Sequence, residues 1–177
     1  MKYKVVLGKI EDLDKMEYFY NEVNEYLESN VNYPSWKKGV YPVKETAEEA
    51  LNTSTLFIIK EDNKIIASVI LDNIQEKVYK FAKWKIDVAE KEVLVVRTLV
   101  VHPLYKRRGL AEKLLEFSKE YAKEKFYKTI RLDVSINNLP AIDLYEKNGF
   151  EYIDTVDLGL NIENLKWFKL YEYIVQV

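Results

Sequence analysis

Between Val93 and Ala111 a nearly unbroken apolar run becomes an amphipathic helix through a short basic turn, and this stretch narrows the possible folds most. Val93 to Val101 is interrupted only by Arg97 and Thr98, the pattern of a central strand buried on both faces. After Val101-His102-Pro103-Leu104-Tyr105 comes Lys106-Arg107-Arg108-Gly109-Leu110-Ala111. The helix from Gly109 to about Lys125 carries Leu110, Leu114, Phe117 and Tyr121 on one stripe, with Ala111, Leu115, Ser118 and Ala122 beside it. Thr129 to Val134 then alternates, with Ile130, Leu132 and Val134 inward. Strand, helix and strand in this order predict a parallel pair across a right-handed crossover. The basic turn and the Asn137-Asn138 loop then share the carboxyl-terminal edge of the sheet, where ligands bind in such layouts.

The first turn of a helix has N–H groups without intrahelical partners and the positive end of the macrodipole beside them. A helix start preceded by Lys106, Arg107 and Arg108 therefore suits phosphate oxygens. Gly109 has no Cβ to keep a ligand away, and Ala111 keeps the first turn narrow. The turn is not a Walker loop, because no Gly-Lys-Ser/Thr follows, and the five glycines are too scattered for a dinucleotide fingerprint. Taken alone, a solvated connection explains the same residues equally well.

Elsewhere, Tyr3, Val5 and Leu7 alternate as a strand, and a helix follows from about Asp12 to Glu28 with Leu13, Met16, Tyr20, Val23 and Leu27 as its core face. Asn30 to Pro42 breaks the periodicity with two prolines and a glycine yet carries Tyr33, Trp36 and Tyr41. Its rings suit either a lid on the core or a binding surface. A short helix from Lys44 to Leu51 precedes two β-rich runs, Thr55 to Lys60 and Ile65 to Leu71, which the polar Glu61-Asp62-Asn63-Lys64 turn joins as a hairpin. Asp72 to Glu90 fits neither period and reads as an irregular excursion with some strand. Pro140 opens a helix that Gly149 closes, and two strands, about Phe150 to Asp157 and Trp167 to Val175, complete the chain.

A length of 177 residues with 48% hydrophobic content suits one domain spanning residues 1–177. The net charge of −2 lacks the positive field that nucleic acid attracts, so no nucleic-acid partner is expected. Zero cysteines and one histidine leave no thiolate or His-cluster metal site, and no metal is expected. Without an apolar run near the roughly 18 residues of a membrane span, or a leader-like start, the chain reads as cytoplasmic and not membrane-bound. Carboxylates, tyrosines, amines and backbone groups remain to do chemistry. Oligomeric state leaves no trace in the pattern.

Two motifs resemble the GNAT superfamily of acetyl-CoA-dependent N-acetyltransferases. Its pyrophosphate loop, Arg/Gln-x-x-Gly-x-Gly/Ala after a strand ending in Val-His-Pro, is similar to Lys106 through Ala111 after Val101-His102-Pro103, with lysine in the first place. Its Asn-x-x-Ala-x-x-Leu-Tyr-Glu-x-x-Gly-Phe pattern is similar to Asn138 through Phe150. The firm resemblance covers Val93 to Phe150. Ile130-Arg131-Leu132-Asp133, Trp167-Phe168 and Tyr171-Glu172 also resemble a branch of small bacterial members.

The resemblance implies a single-domain, three-layer α/β (α+β) fold: a mixed, mostly antiparallel sheet with helices on both faces and a parallel pair, Val93 to Val101 and Thr129 to Val134, that splays to admit the pantetheine arm. It implies acetyl-CoA as co-substrate and a primary amine as acceptor, on a small molecule or a protein, attacking directly in a ternary complex. Backbone groups of Leu99, Val100 and Val101 would bind pantetheine and polarise the thioester carbonyl. Lys106, Arg107, Arg108, Gly109, Leu110 and Ala111 would hold the pyrophosphate, with Arg107 or Arg108 reaching a nucleotide phosphate. Asn138 would hold the pantetheine amide or cap the Pro140 helix. Tyr145 would be the catalytic acid that protonates the departing thiolate, or a ring packed beside Ile142.

Trp36, Tyr41 and Arg97 are substrate-side candidates, together with the Tyr79 to Trp84 excursion. Many family members carry a glutamate where this chain has Arg97, so the base that deprotonates the amine is open among Glu92, Asp133 and a water chain. Arg97 suits a substrate carboxylate or a structural acid such as Asp133. His102 suits a surface or packing role. The missing strand carboxylate also admits a non-catalytic acyl-CoA-binding or sensing module.

Overall fold

The computed structural model describes residues 3–176. Seven strands, β1 (Val5–Leu7), β2 (Leu56–Glu61), β3 (Lys64–Asp72), β4 (Val93–Val101), β5 (Thr129–Ser135), β6 (Glu151–Asp157) and β7 (Trp167–Ile174), line up in the order β1-β2-β3-β4-β5-β7-β6. Among the described residues four α-helices accompany them: α1 (Leu13–Glu28), α2 (Lys44–Asn52), α3 (Leu110–Glu124) and α4 (Leu139–Lys147). β1 with β2, β2 with β3, β5 with β7 and β6 with β7 are antiparallel, and β4 with β5 is parallel. This is the expected mixed sheet with its parallel pair. Among the described residues, no helix is long and apolar enough to cross a membrane.

The chain forms two compact units. One holds the chain up to Asn32, Trp36–Leu71 and Thr98–Leu114. Its core is the face of α1 that the three- and four-residue spacing predicts: Met16, Tyr20, Val23 and Leu27, with Phe19 beside them, are buried against Ala47, Ala50 and Leu51 of α2 and Leu56, Ile58, Ile65 and Ile70 of the β2–β3 hairpin. Each such large side chain contributes about 1.5–3 kcal/mol on burial. The hairpin turns at Asp62 and Asn63, with φ of 47° and 65°. This is the type I′ geometry that matches the twist of paired strands, and Asp and Asn tolerate it.

The other unit holds Tyr33–Ser35, Asp72–Arg97 and the chain from Leu115 onward. β5 is its central strand, paired with β7 from Thr129↔Ile174 to Ser135↔Phe168. On its other side the parallel ladder consists of Val93↔Thr129, Leu94↔Ile130 and Val95↔Arg131. Arg97 and Asp133 each lie two residues past the last of these pairs. β4 is buried at Val93–Val96 but half-buried at Arg97–Leu99, so burial on both faces holds for its first half only.

The excursion after β3 departs from the expectation of some strand: among its described residues it forms short 3-10 turns at Lys77–Phe81 and Glu90–Glu92. Side chains from β5 and β7 take the place of a ladder in ordering it. Buried Arg131 donates from Nε to Glu172 Oε1 at 3.1 Å, from Nη1 to Gln75 Oε1 at 3.0 Å and from Nη2 to the Ile86 carbonyl at 3.1 Å, and its guanidinium lies 4.2 Å from the Trp84 ring centroid. Trp84 Nε1 donates to the Tyr79 carbonyl at 2.7 Å, and the Lys85 amide to Glu172 Oε2 at 2.7 Å.

Candidate active site

The first unit contains the second half of β4 and the basic turn. Thr98 has φ +47°, which sets a β-branched residue in the left-handed region in mid-strand and breaks the regular pleat before Leu99, Val100 and Val101, as at a β-bulge. Its hydroxyl is hydrogen-bonded to that of Tyr41. Tyr41 meets Trp36 edge to face, with centroids 5.7 Å apart. The aromatic loop is fixed by asparagines: Asn24 Nδ2 donates to the carbonyls of Tyr41 and Pro42 at 3.2 and 3.3 Å, and Asn32 bonds both the carbonyl and the amide of Trp36. Trp36 and Tyr41 are therefore brought together by two asparagine anchors, the buried Asn24 and the half-buried Asn32.

His102 is 3% exposed. Its Nδ1 accepts the Leu104 amide at 3.2 Å and its Nε2 lies 3.1 Å from Glu22 Oε2, which fixes the proton on Nε2. Burial lowers its pKa, against the pull of Glu22. The ring thus staples the turn, a packing role.

Pro103–Tyr105 forms a 3-10 turn, Lys106 is extended, and Arg107 and Gly109 take φ of +61° and +71°. A Cβ on Gly109 would meet nothing closer than Glu112 Oε2 at 3.8 Å, so backbone conformation, not crowding, calls for glycine there. Left-handed residues ahead of a helix turn successive amides inward, the geometry of an anion nest. The Lys113 amide bonds the Gly109 carbonyl at 3.0 Å, so the amides of Leu110 and Ala111 precede the intrahelical ladder of α3. Leu110 anchors that helix at 1% exposure.

The three cations differ. Lys106 Nζ lies 4.8 Å from the Tyr26 ring centroid. Arg108 lies over Tyr105 at 4.6 Å, donates to the Tyr3 hydroxyl at 3.1 Å and faces Glu61 at 3.7 Å. Arg107 is exposed, and among the described residues its guanidinium has no partner.

In the second unit, Asn138 caps α4, its Oδ1 accepting the Ala141 amide at 3.4 Å. Tyr145 is 8% exposed and packs on Phe150 and Tyr171, with centroids 5.9 and 6.4 Å away. Burial, helped by the negative charge of Asp133, pushes its hydroxyl well above the usual tyrosine range. Such a phenol keeps its proton at neutral pH and is a donor.

Arg97 forms an ion pair with Asp72, the last residue of β3, so the acid that holds it is Asp72 and not Asp133. The other Asp72 oxygen accepts the Ile74 amide at 2.9 Å. Asp133 Oδ2 accepts a 2.6 Å hydrogen bond from the buried Tyr79 hydroxyl. Burial raises the Asp133 pKa to about 6, with Glu76 adding to the rise and Tyr79 and Arg97 opposing it. Glu92 is spent differently, its Oε2 closing a turn on the Ala89 amide at 3.1 Å. Thr98, Asp72 and Glu76 escaped sequence reasoning: a left-handed threonine has no sequence signal, and the acids lie in a segment without periodicity.

The chain is 31% identical to streptothricin acetyltransferase of Escherichia coli over 90 residues, 51% of this chain and 48% of that protein. It spans about half the length of this curated relative. Its fold matches that of a GNAT family acetyltransferase from Streptococcus agalactiae 2603 at TM-score 0.81, with 18% identity over 99% of this chain and 96% of that one. It also matches yncA of Salmonella typhimurium, solved with its cofactor acetyl-CoA, at TM-score 0.73 and 11% identity over 100% and 96% of the two chains. At such identities the likeness is one of fold. The model of the acetyltransferase (GNAT) family matches residues 16–150, and the chain belongs to that family.

Proposed function

We propose that the chain is an N-acetyltransferase whose residues 1–177 act as one catalytic domain, moving the acetyl group of acetyl-CoA to a primary amine by direct attack. The observation that carries this reading is the Lys106–Ala111 turn, with left-handed Arg107 and Gly109 leading into buried Leu110 at the start of α3. Its donor set, unpaired helix amides beside an uncommitted Arg107, fits a pyrophosphate. In this reading Arg107, rather than Arg108, reaches a nucleotide phosphate, because Arg108 is already held by Tyr3, Tyr105 and Glu61.

The backbone of Leu99, Val100 and Val101, re-aimed by Thr98, would bind the pantetheine amides and polarise the thioester carbonyl. Tyr145, kept protonated by burial, would give its proton to the thiolate as it leaves. Asn138 caps its helix and so sets where Tyr145 stands. Trp36 and Tyr41, braced by Asn24 and Asn32, would face the acceptor, a small amine or a protein amino group.

Steady-state CoA release across a panel of amines tests the proposal. Turnover on at least one amine, reduced in Tyr145→Phe, is expected. Tight acetyl-CoA binding with no turnover on any amine would make the chain an acyl-CoA sensor instead.

A further inference from the structure

We infer that Asp133, held by the hydroxyl of Tyr79, is the group that takes the proton from the acceptor ammonium; this rests on the amine acetylation proposed above. The position follows from the register. β4 and β5 pair in parallel through Val95↔Arg131, and Asp133 stands two residues beyond that pair, on the half of β5 whose other edge alone is occupied, by Leu170 of β7. Its neighbours leave it one free role. Oδ2 accepts from Tyr79, so Oδ1 is the atom left to receive a proton.

Two of the other candidate acids are committed. Asp72 uses one oxygen on Arg97 and the other on the Ile74 amide, and Glu92 closes its own turn. The charged and titratable groups that face Asp133 are Tyr79 and Glu76 from the excursion, Arg97 from β4 and Tyr145 from α4. Tyr79 is itself pushed well above the ordinary tyrosine range by burial and by Asp133, so it donates and does not compete for the proton. Its position is not adjustable, because Trp84 holds its carbonyl and Arg131 holds Trp84. A carboxyl titrating at about 6 is ionised at neutral pH yet more basic than an ordinary aspartate, which suits a base acting on an ammonium.

The step balances. The ammonium gives one proton to Asp133 Oδ1, and the freed lone pair forms the C–N bond to the acetyl carbonyl carbon. The C–S bond breaks with its electron pair on sulfur, which takes up a proton, while nitrogen loses its second. Asp133 returns its proton to water, so ammonium and thioester become amide, thiol and one released proton.

The test is the pH dependence of kcat in the full chain, wild type against Asp133→Asn and Tyr79→Phe, with acetyl-CoA affinity measured in parallel. Wild-type kcat should rise with pH to a plateau above about 6. Asp133→Asn should lose about 10²–10³-fold in kcat and the acidic limb with it, at unchanged acetyl-CoA affinity. Tyr79→Phe, a change in a positioning residue, removes a donor to the carboxylate and should move the limb to higher pH. An Asp133→Asn protein that keeps the wild-type limb overturns the assignment. If that variant does not fold, an unmoved limb in Tyr79→Phe overturns it equally. A wild-type chain that binds acetyl-CoA but acetylates no amine overturns the reading underneath, a result separate from either.

Discussion

The Tyr41 hydroxyl is hydrogen-bonded to the hydroxyl of Thr98, the residue at which β4 turns left-handed. A loop residue whose carbonyl is held by Asn24 of α1 thus touches the strand at the point where its backbone changes direction. Tyr41→Phe and Thr98→Val should each cost about 1 kcal/mol in urea unfolding, and the double variant little more than the larger single, because both remove one hydrogen bond. Strict additivity in the double-mutant cycle would show that the two hydroxyls are not coupled.

Arg107→Ala should raise the acetyl-CoA KM about tenfold, with kcat and unfolding midpoint unchanged, since its side chain is uncommitted. Arg108→Ala should lower the midpoint and leave KM nearly unchanged, because it loses the Tyr105 stacking and the Tyr3 contact. The opposite ranking of the two KM values would reverse the assignment.

Strand and helix identities were legible where period and burial agree: Met16, Tyr20, Val23 and Leu27 of α1, Leu110, Leu114, Leu115 and Ala122 of α3, and Ile130, Leu132 and Val134 of β5 are buried, whereas Leu13 of the α1 face and Phe117 and Tyr121 of the α3 stripe are only half-buried. Gly109 was legible as a special position, and its left-handed φ is a reason for glycine there that the sequence pattern does not display. The excursion from Asp72 to Glu90 was illegible for a physical reason. Its order comes from Arg131 and Glu172, two charged residues far along the chain, and no local period encodes such long-range hydrogen bonds. The same distance hid the Asp72–Arg97 pair and the Tyr79–Asp133 contact.

Arg131→Ala strands Glu172, 1% exposed, without its ion-pair partner and removes two hydrogen bonds from the excursion. A loss of about 3–5 kcal/mol in denaturant unfolding is expected, together with altered Trp84 emission. An unchanged midpoint would show that the excursion orders itself.

Asp133 is raised in the folded chain, from an ordinary aspartate value to about 6, so ionising it opposes folding. Its favourable contribution is complete below pH 4 and is lost as pH rises through about 6. Asp133→Asn should therefore stabilise the fold at pH 7.5, by an amount on the order of 2 kcal/mol, and the gain should vanish near pH 4. Thermal melts at both pH values measure it; destabilisation at pH 7.5 would mean that the Tyr79 bond outweighs the burial of charge.

Tyr20, Tyr79 and Tyr145 are all raised, chiefly by burial. Their contribution to stability is complete below the ordinary tyrosine pKa of about 10 and is lost above it. Unfolding monitored against phenolate absorbance at 295 nm (about) should show these rings ionising together with loss of structure rather than before it.

The histidine staple carries a consequence for titrimetry. With Nδ1 occupied by the Leu104 amide and burial opposing its charge, the imidazole of His102 takes up its proton only at a more acidic pH than a free one would. A potentiometric trace of wild type minus Asp133→Asn, taken on the folded chain from neutral pH to well below about 6, then counts the proton of the Asp133 carboxyl without any substrate present.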